Sequence, residues 1–335
     1  MSTLPIGKID TDILQKLLTD HTHKGNRVVI GPAVGEDATI IDMGKTYLVS
    51  KTDPITHVTE EIGHYAVNIN ANDIAAMGGT PRWFLATILM PPGSSTDDVK
   101  EIFFQVSQSC KILGVDYCGG HTEITTSVNI PIVVGQMLGE ADPKNLKPSS
   151  GACAGDDLIM TKSAAIEATA IIALEKEQEL ATRFDPAIIA TAKKYLHNPG
   201  ISVVKAARIA AGFKEVHAFH DPTEGGIATG IFELAIASGL GVEVYGDKIP
   251  VSEETGLLCN HFGIDPLGTF ASGSLLMAAS SSITQELIDR LAEQHVPAAR
   301  IGVMRSKKEG MKLIHQGGAV PLPVYHQDEL LKIFG

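Results

Sequence analysis

The sequence predicts an α+β protein of two domains. Its 335 residues are enough for about two domains of ~150 residues each, and its 44% apolar content is ordinary for a folded chain. In both halves, strand pairs and helices are mixed and do not alternate strictly, which favours α+β over a doubly wound parallel sheet. The polar stretch 141–150 holds two prolines and two serines and predicts a boundary, with domains at 1–147 and 148–335.

In the first half, apolar spacing predicts helices over 11–18, 59–77 and 95–113 and strands over 28–30, 39–41, 47–50, 83–90, 115–118 and 130–138. The short polar segment 42–45 predicts a tight turn between the second and third strands. Gly78 and Gly79 end the second helix, and Ser95 or Thr96 caps the third. The fifth strand is expected to end at Gly119-Gly120, which we interpret as part of a turn.

In the second half, the same patterns predict helices over 164–175, 186–196, 203–211, 226–237, 284–294 and 328–334, and strands over 157–160, 216–219, 242–245, 274–279, 300–304 and 311–315.

We expect no membrane helix, because the apolar runs fall far short of ~20 residues. The first ten residues predict no signal peptide. The four cysteines are interpreted as reduced, mostly buried thiols of a cytoplasmic protein.

The net charge is 27 − 39 = −12. Such acidity argues against nucleic-acid partners and against an anionic membrane surface. It does not exclude a nucleotide, because Mg²⁺ can lie between carboxylates and phosphates. The position of the acids is therefore more informative than their number.

Several acidic groups and histidines lie where apolar runs begin or end. They are Asp37, Asp53, Asp73, His121, Glu123, His220 and Asp221. A side chain at a strand end is fixed by the sheet and still reaches an open edge, where ligands usually bind. Aspartates converging from several such ends would suit Mg²⁺ ions bridging a triphosphate. Taken singly, each residue could equally have a purely structural role, in a turn or as a cap, and bind no ligand.

Asn68 and Asn72 lie on one face of the second predicted helix, four residues apart. Two amides in an otherwise apolar helix are expected either to bind a ligand or the backbone, or simply to be exposed.

Two known nucleotide-binding motifs are incomplete in this sequence. Thr39 stands where a P-loop ending at Gly44-Lys45-Thr46 needs glycine, and Val244 stands where a dinucleotide fingerprint needs it.

Six segments follow one another along the chain. They are Gly35-Glu36-Asp37-Ala38, Thr52-Asp53, Asn72-Asp73-Ile74-Ala75-Ala76-Met77-Gly78, Gly119-Gly120-His121-Thr122-Glu123, Thr161-Lys162 and His220-Asp221-Pro222-Thr223-Glu224-Gly225-Gly226. Taken in this order, they resemble the aminoimidazole ribonucleotide synthetase (PurM) superfamily, and most closely its hydrogenase maturation (HypE) branch. The resemblance covers about residues 30–310. It implies an N-terminal domain whose strands join a partner's in a dimeric, barrel-like sheet. It also implies a C-terminal α+β domain, with ATP bound between domains and subunits.

The resemblance also implies roles for single residues. Asp37, Asp53, Asp73 and Asp221 match positions that hold Mg²⁺ and phosphates. The surrounding nucleotide-site motifs match at Asn72, Gly119, Gly120, Thr122, Thr161 and Lys162. We further expect Lys162 to offset phosphate charge and His121 or His220 to carry a proton.

The chain departs from the HypE pattern at its end. The sequence given closes on Ile333-Phe334-Gly335, and its last cysteine is Cys259. The HypE branch has a reactive cysteine in a C-terminal tail, so we expect the chemistry of that tail not to carry over to this chain. The leading hypothesis is a homodimeric, Mg-ATP-dependent enzyme that phosphorylates or phosphate-activates a small-molecule or protein-bound group, with a maturation protein as partner. The alternatives are a non-catalytic ATP-binding scaffold and a small-molecule kinase of the thiamine-phosphate-kinase type.

Overall fold

The computed structural model describes Leu4, Gly7 and residues 9–56 and 58–334. The chain divides into two compact units. We call residues 24–31 and 37–146 the N-terminal unit. The C-terminal unit comprises residues 147–335 together with 1–23 and 32–36. Each unit combines helices with one sheet, so the predicted α+β class is confirmed.

In the described residues, the N-terminal unit is a six-stranded sheet with two helices. Its elements are β1 (Val28–Ile30), β2 (Thr39–Asp42), β3 (Tyr47–Ile55), α2 (Ile62–Ala76), β4 (Thr80–Met90), α3 (Thr96–Leu113), β5 (Asp116–Ile124) and β6 (Ile132–Ala141). The strand order is β1-β2-β3-β6-β4-β5. Helix α2 is buried along almost its whole length, because it packs between the sheet and α3. The predicted Ser95 cap of α3 is confirmed, and Asp98 completes a capping box with it.

Two of the strands that run further than predicted carry candidate site residues. β3 continues through Lys51-Thr52-Asp53, and β5 continues through Gly119 and Gly120 to Ile124. The expected turn at 119–122 is therefore wrong. The glycines are needed for a different reason: Gly120 has φ +148°, and a Cβ there would collide with the carbonyl of Ala86 on the neighbouring β4.

The C-terminal unit is a seven-stranded sheet in the order β13-β12-β9-β11-β7-β10-β8. Its strands are β7 (Asp157–Thr161), β8 (Val216–His220), β9 (Gly241–Tyr245), β10 (Leu276–Ala279), β11 (Ala298–Arg305), β12 (Met311–His315) and β13 (Gly318–Pro321). Its helices are α1 (Thr11–His21), α4 (Ile166–Glu175), α5 (Glu177–Leu180), α6 (Pro186–Lys193), α7 (Val204–Ala210), α8 (Gly226–Ser238), α9 (Glu253–Phe262), α10 (Thr284–Glu293) and α11 (Leu331–Phe334). The sequence predicted all but α5, α9 and β13.

The core of this unit consists of aliphatic side chains from the central strands and from α8, with Leu158, Ile231 and Leu276 fully buried. Cys110 and Cys259 are buried thiols, whereas Cys118 and Cys153 are exposed, so burial was predicted correctly for only two of the four. Among the described residues, none of the helices has the length and apolarity needed to cross a membrane. Most of the first ten residues, on which the signal-peptide prediction rests, lie outside the described residues.

Candidate functional site

A lysine and two aspartates meet where α2 packs on β3. The two-residue period of a strand places Lys51 and Asp53 on the same face of β3. Lys51 Nζ lies 2.9 Å from Oδ1 of Asp73, which α2 presents, and 3.6 Å from Oδ2 of Asp53. Two of the aspartates predicted to hold Mg²⁺ thus contact one ammonium group.

Asp37 joins this group from the segment before β2. Carboxylate oxygens of Asp37 and Asp73 lie within 4.8 Å of each other. We call Asp37, Asp53 and Asp73 the acidic cluster. Sequence reasoning missed Lys51 because β3 was predicted to end at Ser50. The signal that could have found Lys51 is the alternation in Lys51-Thr52-Asp53, because it places two charged side chains on one face of an extended strand.

Burial is the largest influence on the protonation of Asp73. Together with the nearby carboxylates of Asp53 and Asp37, and against the opposing effect of Lys51, it raises the pKa of Asp73 to about 7. Burial alone would lower the pKa of Lys51, but the carboxylates of Asp73, Asp53 and Asp37 outweigh it and raise that pKa well above its ordinary value. Lys51 therefore stays charged at neutral pH, and Asp73 holds its proton to a higher pH than an exposed aspartate does.

The acidic cluster fits a hard divalent cation. Oδ2 of Asp73 is buried and has no hydrogen-bond partner among the described residues. Such an atom is costly unless something binds it. Three carboxyl groups around one ammonium also leave negative charge in excess. Carboxylate oxygens from separate elements are the donors that Mg²⁺ prefers.

The asparagines of α2 are buried, which excludes the alternative that they are exposed. Asn68 Nδ2 donates to the carbonyl oxygen of His64 at 2.9 Å. Asn70, which the sequence did not single out, donates to the carbonyl oxygens of Ala66 at 2.9 Å and Asp53 at 3.3 Å. Its amide thereby ties α2 to β3 beside the acidic cluster. Asn72 is buried on the same helix, and its nucleotide role stays a prediction.

His121 lies on the edge strand β5 together with Gly119, Gly120 and Thr122. Its Nε2 is 3.1 Å from Oε2 of Glu123, two residues along the same strand face, and both side chains are exposed. The structure does not bring His121 into contact with the acidic cluster. Its role as a proton carrier stays a prediction.

The remaining predicted residues lie in the C-terminal unit. The His220 ring is buried at the end of β8, with Nδ1 3.1 Å from Ser149 Oγ and Nε2 3.2 Å from Glu233 Oε2. Asp221 follows it directly. The Thr161 hydroxyl oxygen accepts a 2.9 Å hydrogen bond from the backbone N–H of Leu275. Local structure therefore accounts for the burial of His220 and Thr161.

Lys162 has an equally local set of partners. Its residue has a left-handed backbone, φ +56°, and its Nζ donates to the carbonyl oxygens of Gly200 at 2.7 Å and Ser202 at 2.8 Å. Burial lowers the pKa of this ammonium group to about 8. These contacts hold the loop 200–202 in place, and the predicted role toward phosphate stays a prediction.

The end of the chain packs on the loop 221–226 of the same unit. Asp328 Oδ2 accepts a 2.7 Å hydrogen bond from the backbone N–H of Gly225. The Tyr325 hydroxyl donates to Asp265 at 2.5 Å, and its ring packs on Gly268. Burial raises the pKa of Asp328 to about 6.

A family model described as the N-terminal domain of AIR synthase related proteins matches residues 35–141, and one described as the C-terminal domain matches residues 154–313. The chain belongs to the AIR synthase related protein family. The resemblance inferred from the six segments is thus confirmed.

Named relatives of this AIR synthase related protein agree with that assignment. A protein of Methanocaldococcus jannaschii, named for hydrogenase expression/formation, is 24% identical over 291 residues, covering 84% of each chain. The selenide, water dikinase of Dechloromonas aromatica is 30% identical over 251 residues, covering 73% of this chain and 68% of the relative. The structure of hydrogenase maturation protein HypE in complex with ATP has a TM-score of 0.73 at 20% identity, covering 94% of this chain and 91% of the other. At that identity, the likeness shows a shared fold.

Proposed function

We propose that this AIR synthase related protein is a Mg-ATP-dependent enzyme that phosphorylates or phosphate-activates a small-molecule or protein-bound group. The observation that carries the proposal is the acidic cluster around Lys51, in which one buried Asp73 oxygen has no hydrogen-bond partner within the described part of the chain. Two relatives support the nucleotide, since one is a dikinase by name and another is a fold neighbour in complex with ATP.

In this proposal, the acidic cluster holds Mg²⁺ through its carboxylate oxygens. Bound Mg²⁺ would neutralise phosphate charge during phosphoryl transfer. Lys51 orients Asp73 and keeps part of the cluster charge compensated before the cation binds. Asn70 fixes the backbone of Asp53 and so limits the reorganisation needed on binding. The Mg²⁺ role of Asp221 stays a prediction from the sequence.

The proposed activity is tested by ADP release from ATP and Mg²⁺, measured against a panel of small acceptors that includes carbamoyl, phosphomonoester and selenide or sulfide compounds. Asp53→Asn should lower turnover by at least about tenfold, because it removes one carboxylate from the cation site. Asp97→Asn is the matched control, because Asp97 is an exposed aspartate paired with Lys100 on α3. Equal turnover in Asp53→Asn and wild type would contradict the metal assignment. ATP binding without turnover on any acceptor would favour the scaffold alternative.

We also propose a homodimer. β5 is the edge strand of its sheet and its side chains are exposed along most of their length. α3 in the same unit exposes Phe103 and Phe104. Unpaired strand edges and exposed aromatic side chains are typical of surfaces that another chain covers. Sedimentation equilibrium should give twice the chain mass of 35.5 kDa. A maturation-protein partner and a cytoplasmic location stay predictions.

A further inference from the structure

Cys153, Asp156 and His217 bring a sulfur, an oxygen and a nitrogen donor together within the C-terminal unit. One ligand atom from each lies within 4.8 Å of the other two. We propose that these three residues form a binding site for a divalent transition metal of the zinc class. The site consists of C-terminal-unit residues alone and shares no residue with the acidic cluster.

The sheet topology brings two of the three donors together. Asp156 directly precedes β7, and His217 is the second residue of β8. Both strands pair antiparallel with β10, which lies between them, so β7 and β8 run in the same direction. The amino-terminal ends of β7 and β8 therefore lie at the same end of the sheet, on either side of β10. There, His217 Nδ1 lies 3.0 and 2.9 Å from the two carboxylate oxygens of Asp156.

An irregularity in β8 lies at His217 itself. Ala278 pairs with Ala218 and Ala279 with Val216, which leaves His217 as an extra residue in the ladder. A bulge of this kind re-aims one side chain and is frequent next to functional sites. The imidazole remains about one-third exposed, whereas the Asp156 side chain is almost fully buried.

The third donor arrives on the segment that covers the edge strand β8. The backbone N–H of Phe219 donates to Lys147 O at 2.9 Å, and Ser149 Oγ donates to Phe219 O at 2.9 Å. A Cβ on Gly151 would collide with the carbonyl of His217, so the glycine permits this close approach. The backbone N–H of Cys153 then donates to Asp156 Oδ2 at 2.8 Å and fixes the thiol-bearing residue beside that carboxylate.

The donor set selects the class of metal. Thiolate and imidazole ligands suit Zn²⁺ and its neighbours in the first transition row, whereas Mg²⁺ prefers oxygen. Three protein ligands, one of them on the exposed Cys153, leave a fourth tetrahedral position open to water. On binding, the thiol proton is released to solvent as the metal–sulfur bond forms, so binding weakens in acid.

The test uses Co²⁺ as a spectroscopic substitute for Zn²⁺, added to the reduced full-length protein without nucleotide. We expect one equivalent to bind with a thiolate-to-cobalt charge-transfer band, and Zn²⁺ but not Mg²⁺ to displace it. Cys153→Ser should abolish the band. His217→Gln should weaken Co²⁺ binding at least about tenfold. Asp156→Asn should weaken binding and keep the band, because Asn retains an acceptor for the Cys153 N–H.

Cys118→Ser is the matched control, because Cys118 is the other exposed thiol, and it should leave the titration unchanged. The proposal is overturned if wild type shows no thiolate band, if the band survives in Cys153→Ser, or if it disappears in Cys118→Ser. Because no nucleotide is present, each outcome is independent of the function proposed above.

Discussion

Lys51 Nζ lies 2.9 Å from Oδ1 of the buried Asp73, at the point where β3 meets α2. The ammonium group offsets the cost of burying carboxyl groups in the N-terminal unit. It also leaves the second oxygen of Asp73 without a hydrogen bond among the described residues. The pair thus combines a stabilising contact with an oxygen available to a cation.

Replacing Lys51 with methionine should destabilise the protein by about 3 kcal/mol near pH 8, because it leaves a buried carboxylate without its cation. The loss should shrink below pH 7, where Asp73 takes up a proton. Urea unfolding at both pH values measures this. Lys100→Met removes an exposed ion pair of α3 and should cost under about 1 kcal/mol. Equal losses in the two variants would contradict the account.

Asp328→Asn should change how stability depends on pH. Burial raises the pKa of Asp328 to about 6 from 3.8, so the folded state binds a proton that the unfolded state has already lost. Proton binding by Asp328 therefore favours the folded state; this stabilisation is complete below about pH 4 and is lost as the pH rises through 6. Wild type should therefore lose up to about 3 kcal/mol relative to Asp328→Asn between pH 4 and 8. Thermal unfolding across that range measures the difference, and a constant difference would refute it.

Lys162→Met should destabilise the C-terminal unit by about 2 kcal/mol, because two carbonyl oxygens lose their charged donor. Lys205→Met is the control, since Lys205 is exposed and donates to a single carbonyl, that of Gln294. Its cost should stay near 0.5 kcal/mol, the ordinary range of surface changes. Unfolding free energies and ATP titrations of both variants separate a structural role from a phosphate role. Unchanged stability in Lys162→Met would rule out the structural role.

Gly120→Ala should cost several kcal/mol more than Gly119→Ala. Both glycines have positive φ, +142° and +148°, so both substitutions strain the backbone. An added Cβ collides with Ala86 only at Gly120, whereas at Gly119 nothing lies within 4 Å. Chemical unfolding of the two variants side by side measures the contribution of close strand approach. Equal losses would mean that backbone conformation alone requires these glycines.

Much of the fold was predictable because apolar periodicity and glycine stops are local signals. The helix from Thr96 to Leu113, with its Ser95 cap and Gly114 stop, is an example. The family was recognisable from six ordered segments. The extension of β5 through Gly119-Gly120 was not, because the glycines are explained by a neighbouring strand that is distant in sequence.

The candidate site was predictable in part. The acids Asp37, Asp53 and Asp73 were singled out by their places at the ends of apolar runs. Lys51 was missed because the predicted strand ended at Ser50, whereas β3 continues to Ile55. Cys153 and His217 could not be paired from the sequence, since a strand bulge and an edge-covering segment bring them together across 64 residues.

The central claim is that the acidic cluster binds Mg²⁺ for ATP. The most direct measurement is isothermal titration of ATP into the protein with and without Mg²⁺, for wild type, Asp73→Asn and Asp97→Asn. We predict Mg²⁺-dependent binding that Asp97→Asn preserves and Asp73→Asn weakens at least about tenfold, or 1.4 kcal/mol. ATP affinity that is independent of Mg²⁺, or equal in all three proteins, would contradict the account.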